Sequence, residues 1–253
     1  MPKIRLISRL DVKDVNLVKG IQLEGLRKLG DPNQFARQYY SDGIDEVLYL
    51  DIVASLYNRN NLSGIVERTT RDVFVPITVA GGIRSLDDVH TILQTGADKT
   101  AINTAAIKRP ELITEVAEAY GSQCMVLSIE AKRSPAGNYE CYYDNGREHS
   151  GLDVLEWAAR GEKLGAGEIL LTSVDRDGLM RGMDTDLIRQ VCETVSIPVI
   201  CSGGAGSARD VADAAFAGAS AVAVGSMLHY KKKTVTELKQ ELAGFGVEVR
   251  KCW

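Results

Sequence analysis

Two carboxylates, Asp11 and Glu130, lie in segments of mainly apolar residues, where they could exchange protons with a bound substrate. A carboxylate in such surroundings is costly unless it has a partner or a chemical task. We therefore predict that Asp11 and Glu130 act as a catalytic acid and base. The structural alternative is an ion pair with the lysine two positions further on, Lys13 or Lys132.

Four turns have the composition of phosphate-binding loops: Gly81-Gly82, Asn103-Thr104, Gly203-Gly204 and Gly225-Ser226. Glycine lets a ligand approach the backbone closely, and N–H groups at the start of a helix bind phosphate without a fixed positive charge. The sequence therefore predicts two phosphate sites and a substrate with two phosphates. Asp51 and Asp177 stand nearby in the chain and could orient substrate hydroxyls or cap helices.

Eight short apolar segments alternate with stretches of helical period, which is the pattern of repeated βα units around a parallel sheet. The predicted strands are 4–11, 46–51, 76–79, 98–103, 125–131, 168–173, 198–202 and 221–225. The predicted helices are 33–42, 60–71, 86–95, 110–120, 152–164, 184–194, 207–217 and 234–243. No segment resembles a linker, so we expect a single domain over residues 1–253.

An internal repeat selects the architecture. Residues 80–103 align with residues 202–225, and the pairs 82 and 204, 97 and 219, and 103 and 225 each differ by 122 positions. Two halves of four βα units each predict an α/β fold, a (β/α)8 TIM barrel built from two similar half-barrels. In such barrels the reacting groups lie at the carboxyl ends of the strands, where the four loops and both carboxylates belong.

The opposite end of this barrel is predicted to be charged. Four residues fall at or near strand starts: Arg5, Glu46, Lys99 and Glu168. Two bases and two acids can neutralise one another in a stabilising ion-pair layer. The alternative is a gate into the barrel interior, and the sequence leaves both open.

Composition excludes several other classes of protein. The 253 residues are 45% hydrophobic and 25% charged, with a net charge of -4, so neither nucleic acid nor an anionic membrane is an expected partner. Three scattered histidines and five cysteines without C-x-x-C spacing predict no metal site, no cofactor and no disulfide framework. We expect a cytoplasmic protein.

The ordered motifs resemble one family. They include LDVKD (10–14), GGIRS (81–85), GADK (96–99), INTAA (102–106), GAGEILLTSVDRDG (165–178) and SGGAG (202–206). Over nearly the whole chain they are similar to the cyclase subunit family (HisF) of imidazole glycerol phosphate synthase. The resemblance implies a lyase of histidine biosynthesis. It implies that ammonia from a partner glutaminase (HisH-like) passes through the barrel, and that a bisphosphorylated aminoimidazole carboxamide ribonucleotide derivative becomes imidazole glycerol phosphate and the carboxamide ribonucleotide.

The resemblance also implies roles for single residues. Asp11 becomes the catalytic acid or base of the first strand, Lys19 a lysine of the mobile first loop, and Asp98 and Gln123 part of the glutaminase-facing, strand-start side. The implied phosphate contacts are Gly82, Asn103, Thr104, Asp177, Gly178, Gly203, Gly204, Gly225 and Ser226. The implied ammonia gate is Arg5, Glu46, Lys99 and Glu168.

The chain departs from the family pattern mainly inside the predicted site. Glu130 replaces an Asp, Arg9 a Cys and Val53 a Thr, while Ala80 and Ala101 replace Gly and Ser. Three alternatives to the cyclase therefore stay open. They are a paralogue that supplies ammonia to a sugar amidotransferase of surface polysaccharide synthesis, a HisA-like sugar-phosphate isomerase, and a binding subunit that only delivers ammonia.

Overall fold

A computed structural model describes residues 3–54 and 62–250. Its strands are β1 (Arg5–Lys13), β2 (Asn16–Ile21), β3 (Glu24–Gly30), β4 (Glu46–Asp51), β5 (Ile77–Ala80), β6 (Lys99–Ile102), β7 (Met125–Arg133), β8 (Tyr139–Tyr143), β9 (Glu148–Asp153), β10 (Glu168–Ser173), β11 (Val199–Ser202) and β12 (Ala221–Val224). The eight predicted strands correspond to β1, β4, β5, β6, β7, β10, β11 and β12, and each agrees to within two residues at both ends.

These eight strands form a closed parallel barrel. β1 pairs with β4 on one side and with β12 on the other. The order continues from β4 through β5 and β6 to β7, which pairs with β10, and from β10 through β11 back to β12. The predicted (β/α)8 barrel is confirmed. Because β1 and β7 are four strands apart in a ring of eight, they face each other across the interior.

The α-helices that lie wholly within the described residues are α1 (Pro32–Ser41), α2 (Ser63–Thr69), α3 (Leu86–Gln94), α4 (Thr104–Lys108), α5 (Glu111–Tyr120), α6 (Val154–Lys163), α7 (Thr185–Thr194), α8 (Ala208–Phe216), α9 (Ser226–His229) and α10 (Val235–Gly244). The prediction of a helix over 60–71 is correct for 63–69, while residues 60 and 61 lie outside the described part. Across that part, no helix has the length and apolar character needed to cross a membrane.

The two halves repeat each other in detail. β4, β5 and β6 begin at residues 46, 77 and 99, and β10, β11 and β12 begin at 168, 199 and 221, a shift of 122 in each case. The capping box at the start of α3, formed by Ser85 and Asp88, recurs at the start of α8 with Ser207 and Asp210. The predicted half-barrel repeat is therefore present in strand position and in helix capping.

Two antiparallel hairpins extend the barrel at equivalent places. β2 and β3 follow β1, and β8 and β9 follow β7, so each half-barrel has a hairpin after its first strand. The sequence prediction contained no strand between β1 and α1, because β3 is largely exposed and rich in charge and so lacks the apolar pattern of a buried strand.

Strand alternation separates two apolar layers. Leu6, Leu10 and Val12 of β1 pack outward against the helices, whereas Ile7 points into the barrel. The interior layer has at least one residue from every barrel strand, namely Ile7, Leu48, Ala80, Ala101, Val126, Leu170, Ile200, Ala221 and Ala223. This apolar layer lies between the charged residues at the two ends of the strands.

Candidate active site

Asp11 lies at the carboxyl end of β1 and is buried between two cations. Its Oδ1 accepts a hydrogen bond from Nε of Arg9 at 2.8 Å, and its Oδ2 accepts one from Nζ of Lys19 at 2.8 Å. The side chains of all three residues are at most 3% exposed. The structural alternative of an ion pair with Lys13 is wrong, because Arg9 and Lys19 bind the two carboxylate oxygens.

Arg9 reaches from β1 to strands β10 and β11. Its Nη1 donates to Oγ1 of Thr172 and to Oγ of Ser202, at 3.1 Å in each case. Residues two apart on a strand point to the same side, so Arg9 and Asp11 share the inner face of β1. In the sequence, Arg9 stands out only as a departure from the family pattern, and its contact with Asp11 was not predicted, although this alternation could have suggested it.

Lys19 connects Asp11 with Asp177. Its Nζ donates to both carboxylate oxygens of Asp177, at 3.2 and 3.0 Å. Lys19 lies on β2, in the hairpin that connects β1 to α1, so it belongs to the first loop as expected, and it is only 4% exposed. The helix-cap alternative for Asp177 is wrong, since the N-cap of α7 is Asp184.

The charges of this cluster support one another. Burial raises the pKa of Asp11, but the charges of Arg9 and Lys19 lower it by more, so the pKa lies well below its usual range. Burial lowers the pKa of Lys19, while Asp11 and Asp177 raise it to above its usual value. At neutral pH Asp11 is therefore ionised and has no proton to donate.

Glu130, at the carboxyl end of β7, has a pKa that is shifted in the opposite direction from that of Asp11. Its Oε2 accepts a hydrogen bond from the backbone N–H of Gly146 at 2.7 Å. Burial raises its pKa to about 7, against the opposing effects of that N–H group and of the charge on Arg9. Lys132, the partner in the structural alternative, instead lies over the ring of Tyr142, 4.4 Å from its centroid. The pKa values of the two carboxylates are thus shifted in opposite directions.

The turn between β8 and β9 covers Glu130. Asp144, Asn145 and Gly146 have φ angles of 49, 62 and 71°, a left-handed conformation that is uncommon outside glycine. Contacts on both sides support the turn: the N–H of Asp144 donates to Oγ1 of Thr104, and Nδ2 of Asn145 donates to the carbonyl of Leu23, both at 3.1 Å. The position of Glu130 therefore depends on the second hairpin as well as on β7.

The raised pKa of Glu130 predicts a pH-dependent stability. Between its ordinary pKa of 4.5 and about 7, the folded state holds a proton that the unfolded state has lost, so stability falls as pH rises through this window. At 1.36 kcal/mol per pH unit, the loss is about 3 kcal/mol. In Glu130→Gln, where an amide imitates the protonated acid, this loss should disappear. Unfolding free energies of both proteins at pH 5 and pH 8 measure it, and equal pH slopes would contradict the prediction.

Two cavities open at the carboxyl ends of the strands, which form the mouth of the barrel. One lies in each half-barrel. The larger, about 160 Å³, is lined by predicted site residues that include Asp51, Gly82, Asn103, Thr104 and Glu130. The smaller, about 20 Å³, is lined by Arg9, Lys19, Asp177, Gly178, Gly203, Gly204, Gly225 and Ser226, among others. The structure therefore gathers the predicted phosphate contacts of each half around a separate cavity.

Glycine is required at equivalent turns above β5 and β11. A Cβ on Gly81 would lie 2.2 Å from the carbonyl oxygen of Asp51, and one on Gly203 would lie 2.5 Å from that of Ser173. Both glycines have positive φ, 90° and 98°. The two pairs are separated by the same 122 positions, so the repeat includes the close approach of backbone to backbone at each cavity.

Arg5, Glu46, Lys99 and Glu168 are the first residues of β1, β4, β6 and β10, and they form one ion-pair cluster. The guanidinium of Arg5 donates to both glutamates. Nζ of Lys99 lies 2.8 Å from Glu168 and 3.4 Å from Glu46. Both glutamates are buried, while Arg5 and Lys99 are 30% and 18% exposed. This is the charged ring that the sequence predicted, and its function as a gate stays a prediction.

Asp98 and Gln123 lie at the same end of the barrel as this ring. Oδ2 of Asp98, just before β6, accepts a hydrogen bond from the N–H of Ile77 at 2.8 Å. Gln123 lines a cavity of about 320 Å³ together with Arg5, Lys99 and Glu168. Their predicted position on the strand-start side is therefore correct, whereas contact with a glutaminase stays a prediction.

The closed barrel and the buried charged groups at its mouth define the class of this protein, a (β/α)8-barrel enzyme. Residues 5–234 match the family described as "Histidine biosynthesis protein". An "Imidazole glycerol phosphate synthase subunit HisF" of Legionella pneumophila is 60% identical over 206 residues, 81% of this chain and 97% of that protein. Proteins with the same name from Corynebacterium diphtheriae and Methanopyrus kandleri are each 46% identical, over 98% of both chains. The chain belongs to the histidine biosynthesis protein family and, within it, to the HisF subunits.

Proposed function

We propose that this chain is the cyclase subunit of imidazole glycerol phosphate synthase, a lyase of histidine biosynthesis. It takes ammonia from a glutaminase subunit and converts the bisphosphorylated aminoimidazole carboxamide ribonucleotide derivative to imidazole glycerol phosphate and the carboxamide ribonucleotide. The observation that supports this most is the pair Asp11 and Glu130, which lie at the carboxyl ends of the opposite strands β1 and β7 and differ in protonation, with Glu130 lining the larger cavity.

The two carboxylates have complementary tasks in such a reaction. Ammonia must lose protons as its nitrogen bonds to carbon, and the amino group of the departing ribonucleotide must gain one. Ionised Asp11 accepts a proton, and Glu130, whose pKa is near 7, donates one at neutral pH. Arg9 and Lys19 hold both oxygens of Asp11, so its carboxylate is fixed in position before the substrate binds.

The paired cavities predict two anion sites. One phosphate binds beside Gly82 and Asn103, and the other beside Gly204 and Ser226, because each place combines glycine backbone with the start of a helical turn. Crystals grown with inorganic phosphate should show density at both positions. Phosphate density confined to the amino ends of the strands would contradict the assignment of the two half-barrels.

The ion-pair ring marks the face where the glutaminase docks. Ammonia released into bulk water would be protonated and diluted, so a partner seated over the ring delivers it directly to the interior. The ring then acts as the gate, and Asp98 and Gln123 lie toward the partner. A HisA-like isomerase needs no such route, and the ring would have no task in it beyond stability.

Lys99→Glu tests the gate. A third carboxylate beside Glu46 and Glu168 repels both and disrupts the ring without touching the mouth. We expect glutamine-dependent turnover to fall about tenfold further than ammonium-dependent turnover, a difference of about 1.4 kcal/mol. Lys3→Glu reverses a charge on the same face outside the ring and serves as the matched control. Equal losses in both assays would mean that the ring only stabilises the fold and does not act as a gate.

Turnover with free ammonium salt tests the proposed function itself. The chain alone, given the bisphosphorylated substrate and ammonium, should form imidazole glycerol phosphate. A subunit that only delivers ammonia would form none. The second candidate is the paralogue that feeds a sugar amidotransferase, which Arg9 and Glu130 favour because they replace residues usual in the family. That paralogue would also leave the histidine-pathway substrate unchanged, yet it would support glutamine-dependent amidination by the sugar enzyme.

A further inference from the structure

Arg9 and Ser128 occupy equivalent positions in the two half-barrels. Arg9 pairs with Leu48 on the neighbouring strand, and Ser128 pairs with Leu170, and these two leucines are separated by the repeat distance of 122 positions. Both residues point into the interior, one layer below Asp11 and Glu130. The repeat therefore places a long cation in one half and a short hydroxyl in the other.

The two halves differ in free space accordingly. Arg9 extends to Thr172 and Ser202 and lies at the base of the smaller cavity, of about 20 Å³. On the other side, Ser128 leaves room, and the larger cavity of about 160 Å³ extends down to Ala80 and Ala101 of the interior layer. The interior is thus filled by a guanidinium on one side and open to the mouth on the other.

We propose that Arg9 closes the second half-barrel to ammonia, so that ammonia leaves the interior only on the Ser128 side, past Ala101, and arrives beside Glu130. This inference rests on the proposed function. Ion pairing to Asp11 and two further hydrogen bonds fix the guanidinium in place. Arg9 is thereby a positioning residue: it sets where the nucleophile enters relative to the two carboxylates.

The repeat supplies a matched pair of variants. Ala101 and Ala223 are buried interior residues 122 positions apart, on β6 and β12. Valine at either position adds two carbon atoms to the side chain. Because the interior is close-packed, this added volume reduces the free space beside the substituted residue. Valine at position 101 narrows the proposed exit, whereas valine at position 223 narrows the side that Arg9 already closes.

The measured quantity is the ratio of glutamine-dependent to ammonium-dependent turnover in the complex with a HisH-type glutaminase. For Ala101→Val we expect this ratio to fall about tenfold, and for Ala223→Val less than about twofold. An unchanged ratio in Ala101→Val, or an equal fall in both variants, would overturn the inference. Because ammonium that enters from the mouth bypasses the interior, damage to the chemistry itself lowers both rates and leaves the ratio unaffected.

A double variant tests Arg9 directly. Arg9→Cys, which introduces the residue usual in the family, should reopen the second side and raise the ratio of Ala101→Val back toward that of the native complex. A ratio that stays at the Ala101→Val level would show that Arg9 does not close this side. Failure of the proposed function is distinct, because the native chain would then give no product with ammonium at all.

Discussion

Asp11→Asn should lose about 10² to 10⁴-fold in ammonium-dependent turnover, the usual contribution of a positioned general acid or base. The amide keeps the shape of the side chain but cannot accept a proton from the attacking nitrogen. It also leaves Arg9 without its carboxylate partner, although Lys19 retains Asp177. Single-turnover rates with saturating ammonium separate this chemical loss from any change in ammonia delivery.

A second buried aspartate controls for loss of stability. Asp45 pairs with Lys239 at 2.8 Å and accepts a hydrogen bond from the N–H of Leu6, remote from the mouth. Removing one partner of a buried ion pair costs about 3–5 kcal/mol, so Asp45→Asn should destabilise the fold to a similar extent. If Asp45→Asn reduced turnover as much as Asp11→Asn well below the unfolding temperature, Asp11 would lose its catalytic assignment.

The barrel was predictable because its signal is local and repeated. Parallel strands that are buried on both sides appear in the sequence as short apolar runs. The repeat at a distance of 122 positions identified the second half-barrel. β2 and β3 were not predictable by this route. β2 is a short segment that pairs with β1 and has a lysine among its buried residues, and β3 pairs only with β2 and is largely exposed, so it has no hydrophobic pattern.

The site was predictable as a set of strand-end residues but not as a network. The fold places Asp11, Glu130 and the glycine turns at one end, and the ring of Arg5, Glu46, Lys99 and Glu168 at the other. Which cation binds Asp11 depends on how far long side chains reach across the interior. The contact between Arg9 and Asp11 agrees with their spacing of two residues on β1, but the reach of Arg9 to β10 and the contact of Lys19 from β2 are distances that no spacing along the chain encodes.

Glu130→Asp is expected to lower turnover with the histidine-pathway substrate by about 100-fold. Shortening by one methylene moves the carboxyl by about 1 Å, and a displacement of this size costs about 2.7 kcal/mol in a site that fixes the reacting atoms. In this chain the longer side chain reaches the N–H of Gly146 at 2.7 Å, and the turn over 144–146 is built around that contact. An aspartate at position 130 would withdraw from the turn.

Glu140→Asp is the matched control for this shortening. Glu140 lies on the same hairpin and accepts a hydrogen bond from the N–H of Gly151 at 3.0 Å, but it lines neither mouth cavity. Its variant should keep native turnover. The opposite result at position 130, a near-inactive native chain that gains activity in Glu130→Asp, would mean that the longer carboxylate serves another acceptor. The paralogue that supplies a sugar amidotransferase would then replace the cyclase as the preferred function. The site is built around the glutamate at position 130, so higher activity with the histidine-pathway substrate after its replacement would mean that the native site serves a different substrate.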